Sequence, residues 1–279
     1  MLVCALFALG VLGCEAGDPA DEAGEEIGEE PALLCDGSQD LRLAWFVGGG
    51  GQVVTEMQRE LGFAYLYVRG DCRYWVLPYQ GPPALDVREA RTGVLDAGEA
   101  AELAEMLDYG NLAALAAEDW PQQGGEDGPT NFLHDGEDLI ACTDTCLGAP
   151  ESVQTMTTAG PDYFLELWEA GEPMSDAPMR IQARFLGGAP TDDVPVWDLG
   201  LDLSEVDTTP IELSMQGTST LVDDPEIAAA LRQFRAQNPE ATAYYEPIVV
   251  NDSGGAYEVF VRDALPLENE QGLIAWPSP

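Results

Sequence analysis

The chain has 279 residues and a formal net charge of -40, with 51 acidic residues against 11 basic ones, and every base is arginine. A surface this acidic repels nucleic-acid phosphates and anionic lipid head groups, which argues against a nucleic-acid partner. Without lysine, Schiff-base chemistry and Walker-type phosphate binding lack their residue, and a single histidine is too few for multi-histidine metal hydrolysis.

The first element in chain order is Leu2–Gly13, a run of small and apolar residues. As a helix it rises only about 18 Å against a hydrocarbon core of roughly 30 Å, which suits a signal-peptide core rather than a membrane span. It ends in Val11-Leu12-Gly13-Cys14. That tetrapeptide resembles the lipobox of bacterial lipoproteins: apolar residues, then Gly or Ala, then Cys. The resemblance implies cleavage before Cys14, a diacylglycerol thioether on its sulfur, and attachment to a membrane through the lipid. Two features depart from the pattern: Val11 stands where Leu is commonest, and no Lys or Arg precedes the apolar run. Glu15 to Glu30 is acidic and poor in large apolar side chains, so it reads as an extended, self-repelling tether.

Beyond the tether the apolar content is ordinary and a core is expected. Leu41 to Val47 is a strand candidate. The glycines at 48–51 that follow it have neither the spacing nor the lysine of a phosphate loop. Phe63 to Val68 and Arg73 to Leu77 form a hairpin around Arg69-Gly70-Asp71, which is turn chemistry here. Asp96 caps a helix with Glu99 as its capping-box partner, Leu103, Met106 and Leu107 make its apolar stripe, and Gly110 stops it. Asn111 to Ala117 continues as a short second helix. Asn131 to Leu133 and Leu139 to Cys142 suggest another hairpin, across His134-Asp135-Gly136. Tyr163 to Trp168 is expected as a strand pairing with Met179 to Phe185, with Glu166 or Glu169 opposite Arg180 or Arg184. Met179, Ile181, Ala183 and Phe185 alternate with polar residues, as in a half-buried strand. Leu199, Leu201 and Leu203, then Ile211, Leu213 and Met215, alternate in the same way. Asp224 caps a helix with Pro225 at its first position, an apolar stripe of Ile227, Leu231 and Phe234, and Arg232 and Arg235 near its C-terminal end. Tyr244 to Val250 and Ala256 to Arg262 form a last hairpin. The sum is an α+β protein built mostly of antiparallel sheet with a few helices. Its expected divisions are a signal peptide at 1–13, lipidated cysteine and tether at 14–31, a disulfide-containing α+β region at 32–150, and a β-rich α+β region at 151–279.

Cys4 lies in the leader and Cys14 takes the lipid, which leaves Cys35, Cys72, Cys142 and Cys146. An even number in an exported chain points to two disulfides. Cys35–Cys72 with Cys142–Cys146 is the favoured pairing. The alternatives tie Cys35 or Cys72 to the 142–146 segment. A zinc knuckle fits Cys142-Thr-Asp-Thr-Cys146 poorly, and Asp144 between the two opposes thiolate reactivity.

Asn251-Asp252-Ser253-Gly254-Gly255 resembles the segment around the nucleophile of trypsin-like serine proteases. That site needs a histidine base, and the one histidine, His134, lies in Phe-Leu-His-Asp-Gly-Glu, without the family's motif. The pentapeptide therefore reads as a hairpin turn. No Gly-x-Ser-x-Gly elbow occurs. Asp135, Glu137 and Asp138 beside His134, and Asp192 with Asp193, are candidate oxygen ligands for calcium, although neither group has EF-hand spacing; Asp223 with Asp224 is a third pair. Calcium is the one cofactor the sequence suggests. The whole is similar to cysteine-containing lipoproteins of myxobacterial envelopes, through the lipobox, the acidic tether, and the stretches Cys72-Arg-Tyr-Trp and Arg91-Thr-Gly-Val-Leu. The expected role is a lipid-anchored envelope protein that binds a protein or envelope ligand. The alternatives are a carboxylate-dependent hydrolase of envelope polymers and a cation-dependent adhesion or structural module.

Overall fold

The computed structural model describes residues 33–48, 64–78, 89–118, 130–143, 146, 148–188, 194–206, 219–238, 248–252 and 255–266. Ala32–Pro279 forms one compact unit. Its described part contains two antiparallel sheets and five α-helices, an α+β fold.

The first sheet has seven strands. In chain order these are β1 (Leu41–Gly48), β2 (Ala64–Arg69), β3 (Arg73–Leu77), β4 (Arg91–Val94), β5 (Thr130–His134), β6 (Leu139–Thr143) and β7 (Glu172–Pro173). Their spatial order is β6-β5-β1-β2-β3-β4-β7, with every pair antiparallel. β1 and β2 are central and buried on both faces, which is why their sequences run apolar almost without a break. Leu43, Trp45, Leu66, Val68, Tyr74 and Val76 point to one face and join the main core. Ala44, Tyr65, Tyr67, Trp75 and Leu77 point to the other, where Ala90 and Leu265 meet them.

Helices cover the first of those faces: α1 (Ala97–Met106), α2 (Leu112–Ala117) and α3 (Glu151–Ala170). The Asp96 side chain accepts from the Gly98 and Glu99 amides and the Glu99 carboxylate accepts from the Asp96 amide, so the expected capping box starts α1. The helix ends earlier than expected, at Met106. Asp108 in the left-handed region (φ 51°) leads into a 3-10 turn at Tyr109–Asn111 before α2.

α3 overturns one expectation. Tyr163 to Trp168 is its C-terminal portion, not a strand, so Glu166 and Glu169 do not face Arg180 or Arg184 across a sheet. Val153, Met156, Gly160, Phe164, Leu167 and Trp168 recur at helical spacing and form the buried stripe of α3. Gly160 is needed for close approach: a Cβ there would lie 2.5 Å from Trp45 Cζ2. Phe164 meets the same indole edge-on, with ring centroids 4.7 Å apart.

The C-terminal end of α3 is tied to β3 and β4, which carry the Cys72-Arg-Tyr-Trp and Arg91-Thr-Gly-Val stretches. These two stretches are neighbouring strands, with Tyr74 opposite Gly93 and Trp75 opposite Thr92. Tyr74 lies over Gly93 and donates its hydroxyl to the Leu167 carbonyl at 2.9 Å. The Arg91 guanidinium sits 3.7 Å from the Trp168 ring centroid and donates to the Trp168 carbonyl at 3.1 Å. A cation at a helix C-terminus is favoured there by the exposed carbonyls. β7 follows immediately and completes the sheet, so this sheet draws on chain from both sides of residue 150.

The second sheet has the order β10-β11-β8-β9, with β8 (Met179–Gly187), β9 (Thr220–Val222), β10 (Ile248–Asp252) and β11 (Gly255–Asp263). β10 and β11 form the expected hairpin, with Asp252 opposite Gly255. β8 is more enclosed than a half-buried strand: Met179 through Ala183 are all buried, Arg180 and Gln182 included. Its partners are β11 and β9 rather than residues 163–168. Arg184 pairs with Glu258, and Arg180 donates to the Ser219 carbonyl at 3.4 Å.

Leu199 to Leu203 is not a strand either. Gly200 at φ 75° breaks the alternation, and Trp197 Nε1 donates to the Leu201 carbonyl at 2.7 Å. The chain then enters α4 (Leu203–Val206), whose first amide is accepted by Asp252 at 3.1 Å. The expected strand at 211–215 lies outside the described residues. α5 (Pro225–Ala236) starts as expected, with the Asp224 carboxylate accepting from Glu226 and Ile227. It packs Ala228 and Leu231 on the second core, and its Phe234 ring lies 5.2 Å from that of Trp197.

Candidate functional site

Buried polar chemistry concentrates at the end of β11. Asp263 is 1% exposed and stands on the face that alternation gives to Tyr257, Val259 and Val261. Arg232 and Arg235 are three residues apart on α5 and so share one side of that helix. Arg232 Nε donates to Asp263 Oδ1 at 3.1 Å and Arg235 Nη2 to Oδ2 at 3.1 Å. The Ala90 amide donates to Oδ2 at 3.0 Å. A second Arg232 nitrogen reaches the Ala177 carbonyl. One carboxylate thus joins α5, β11 and the segment entering β4, and Arg232 carries the link on to the segment entering β8.

On the opposite face of the same strand Arg262 is buried, donates to the Asp263 carbonyl at 3.0 Å, and lies 5.9 Å from the Tyr65 ring centroid in the first sheet. Arg180 is its cross-strand partner. Four of the chain's few cations are therefore spent on internal contacts. With both Asp263 oxygens engaged by cations and an amide, the group acts as a fixed clamp between elements. Sequence reasoning placed Arg232 and Arg235 by the helix dipole and missed Asp263. Its one sequence signal is a carboxylate continuing the inward alternation of an otherwise apolar strand.

The expected site residues that the structure describes, Cys35, Cys72, His134, Asp135, Glu137, Asp138, Cys142 and Cys146, make none of these contacts. The disulfides Cys35–Cys72 and Cys142–Cys146 are both formed, the favoured pairing of the three. Closed disulfides belong to an oxidising compartment outside the cytoplasm. The Arg69-Gly70-Asp71 turn closes on itself: Arg69 Nε donates to Asp71 Oδ1 at 2.9 Å, and this holds the Asp71 carboxyl well below the usual range. Cys14, Asp192, Asp193 and Ser253 fall outside the described residues.

Asp135 spends one oxygen on its own turn, accepting from the Glu137 amide at 3.0 Å and the Asp138 amide at 2.8 Å. Among the described residues no group of three or more His, Cys, Asp or Glu side chains is placed to hold a metal ion. Nor is any described helix long and apolar enough to cross a membrane. Tyr109 packs nearby and donates to the Arg42 carbonyl at 3.0 Å; its hydroxyl is pushed up to about 12, first by burial and then by the Asp135 charge.

His134 is buried at the end of β5, in the first sheet, while Asp252 and Gly255 are paired at the end of a hairpin of the second. Its Nδ1 accepts from the Gly136 amide at 2.9 Å, so the neutral ring carries its proton on Nε2. Burial lowers its pKa from 6.5, against the smaller opposing effect of Asp135 and Asp138. A lowered folded-state value means that the unfolded chain binds the proton first as pH falls. The His134 contribution is therefore constant above about pH 6.5 and turns destabilising below it, levelling off beneath the folded value. In His134→Asn the amide oxygen can replace Nδ1 as the acceptor. Urea titrations from pH 7.5 to 5 should show a shallower loss of stability for this variant than for the wild type. Parallel slopes would remove His134 as a contributor.

No protein-family profile and no curated protein sequence matches the chain.

Proposed function

We propose that the protein is a lipoprotein of a bacterial cell envelope, held to its membrane by Cys14, and that it works there by binding a protein or envelope ligand rather than by catalysis. The observation that carries this reading is the sequence order: an apolar run closed by Val11-Leu12-Gly13-Cys14, an acidic tether, and then a folded unit with two closed disulfides. Arg232, Arg235 and Asp263 are used structurally. They hold elements to one another, and Asp252, beside the protease-like Ser253, serves as acceptor for the first amide of α4.

The test is metabolic labelling with radioactive palmitate in a Gram-negative host, with fractionation of wild type and Cys14→Ser. The wild type should take up label and sediment with membranes. Cys14→Ser should carry no label and leave the membrane fraction after a salt wash. Equal sedimentation of the two, with no label in either, would remove the lipid anchor from the reading.

A further inference from the structure

Polar atoms are buried on the helix-covered face of the first sheet. Asn131 on β5 is 1% exposed and Trp45 on β1 is 0% exposed. Among the described residues, neither the amide oxygen nor the amide nitrogen of Asn131 has a hydrogen-bond partner, and neither has Trp45 Nε1. Buried polar groups in folded proteins are almost always paired with protein or ordered water, so a set of orphans on one face calls for an occupant.

The register places them together. Trp45 stands opposite Leu133 and Val47 opposite Asn131, which makes Trp45 and Asn131 diagonal neighbours on the same face. Such neighbours lie about 7–8 Å apart along the sheet, within reach of long side chains and of one bridging molecule. α3 passes over this position at Gly160, whose missing Cβ admits the Trp45 indole. The two groups offer complementary chemistry: an indole N–H, and an amide that both donates and accepts. The surrounding core residues, Leu133, Ile140, Cys142, Met156 and Phe164, are uncharged.

We infer that Asn131 and Trp45 bind an internal water molecule between β1 and β5, on the face that α3 covers. A buried water needs two to four polar partners, and this set supplies them. Among the described residues an ion has no counter-charge here. The water completes the hydrogen bonding of the place where α3 crosses the sheet.

The experiment is water–protein cross-relaxation in the oxidised, 15N-labelled protein, with Trp45→Phe used to assign the indole resonance. Cross-peaks to water are expected at Trp45 Nε1–H and at the Asn131 side-chain amide. Asn131→Leu, which fills the position without polar atoms, should abolish the Trp45 peak. Absence of both peaks in the wild type, or a Trp45 peak that persists in Asn131→Leu, would overturn the assignment. Should Asn131→Leu fail to fold, wild-type electron density decides. Density within hydrogen-bond distance of both groups supports the site; a direct protein partner on the Asn131 amide overturns it.

Discussion

Asp263→Ala should lower the stability of the folded unit by about 3–5 kcal/mol, the range found when one partner of a buried ion pair is removed. The two arginines respond differently. Arg232 keeps about a fifth of its side-chain surface in water, at 19%, and can turn outward. Arg235 is 2% exposed and cannot, so most of the loss comes from a guanidinium left in the core without the carboxylate opposite it. The Ala90 amide loses its acceptor in the same step, which loosens the segment entering β4. Folded proteins hold only about 5–15 kcal/mol in total, so the variant should unfold at a markedly lower urea concentration. Asp263→Asn retains an acceptor oxygen and removes the charge. Its loss should be smaller, about 1.5–3 kcal/mol, the scale of a hydrogen bond to a charged group. Urea denaturation of Asp263→Ala, Arg235→Ala and the double variant measures the coupling directly. A loss within about 0.5 kcal/mol of zero for Asp263→Ala, the range of an ordinary surface substitution, would show that the carboxylate is no clamp.

The clamp illustrates what the sequence does and does not disclose. Strand positions were legible because β-branched and aromatic residues cluster between turn formers: Leu41 to Val47, the hairpin about Arg69-Gly70-Asp71, and the pairing of Ile248–Asp252 with Gly255–Asp263 all follow from local pattern. Asp96 with Glu99, and Asp224 before Pro225, announced their helices because a cap is satisfied within four residues. α3 was obscured by its own composition. Thr155, Thr157, Thr158, Gly160 and Pro161 are poor helix formers, and Tyr163-Phe164-Leu165 looks like strand. The helix forms because its stripe from Val153 to Trp168 has a sheet to cover and Gly160 fits against Trp45. Leu199 to Leu203 misled in the opposite way: the alternation is real, but Gly200 takes a left-handed conformation that a strand cannot hold. Asp263 was illegible for a different reason. It is one acid among 51, and its partners lie 28 and 31 residues away on a separate element. Likewise, register alone brings Asn131 beside Trp45.

Removing the Cys35–Cys72 bridge should cost about 3–4 kcal/mol, and removing Cys142–Cys146 about 2 kcal/mol, because the entropy withheld from the unfolded chain grows with the loop that each bond closes. The sequence separations are 37 and 4. The longer bridge also has a structural consequence that its loop length understates. It ties the segment before β1 to the turn after β2, beside the pair Leu41 and Arg69 that begins the β1–β2 ladder, so it secures the two central strands at one end. Cys72 itself sits at φ 64°, a left-handed conformation that costs a side-chain-bearing residue roughly 1–2 kcal/mol. Two backbone hydrogen bonds hold it there, its amide to the Arg69 carbonyl at 2.8 Å and the Leu95 amide to its carbonyl at 3.0 Å. In Cys35→Ala/Cys72→Ala that cost persists without the covalent restraint. Cys35→Ala/Cys72→Gly relieves it, and should recover about 0.5–1 kcal/mol net of glycine's greater freedom in the unfolded chain. Urea midpoints of the two double-alanine variants and the glycine variant order these effects. The expected order is wild type, then Cys142→Ala/Cys146→Ala, then Cys35→Ala/Cys72→Gly, then Cys35→Ala/Cys72→Ala. If the 142–146 variant were the least stable, loop entropy would not be the governing effect. Packing would be, since Cys142 and Cys146 lie inside the main core while Cys35 and Cys72 are only partly buried at its margin.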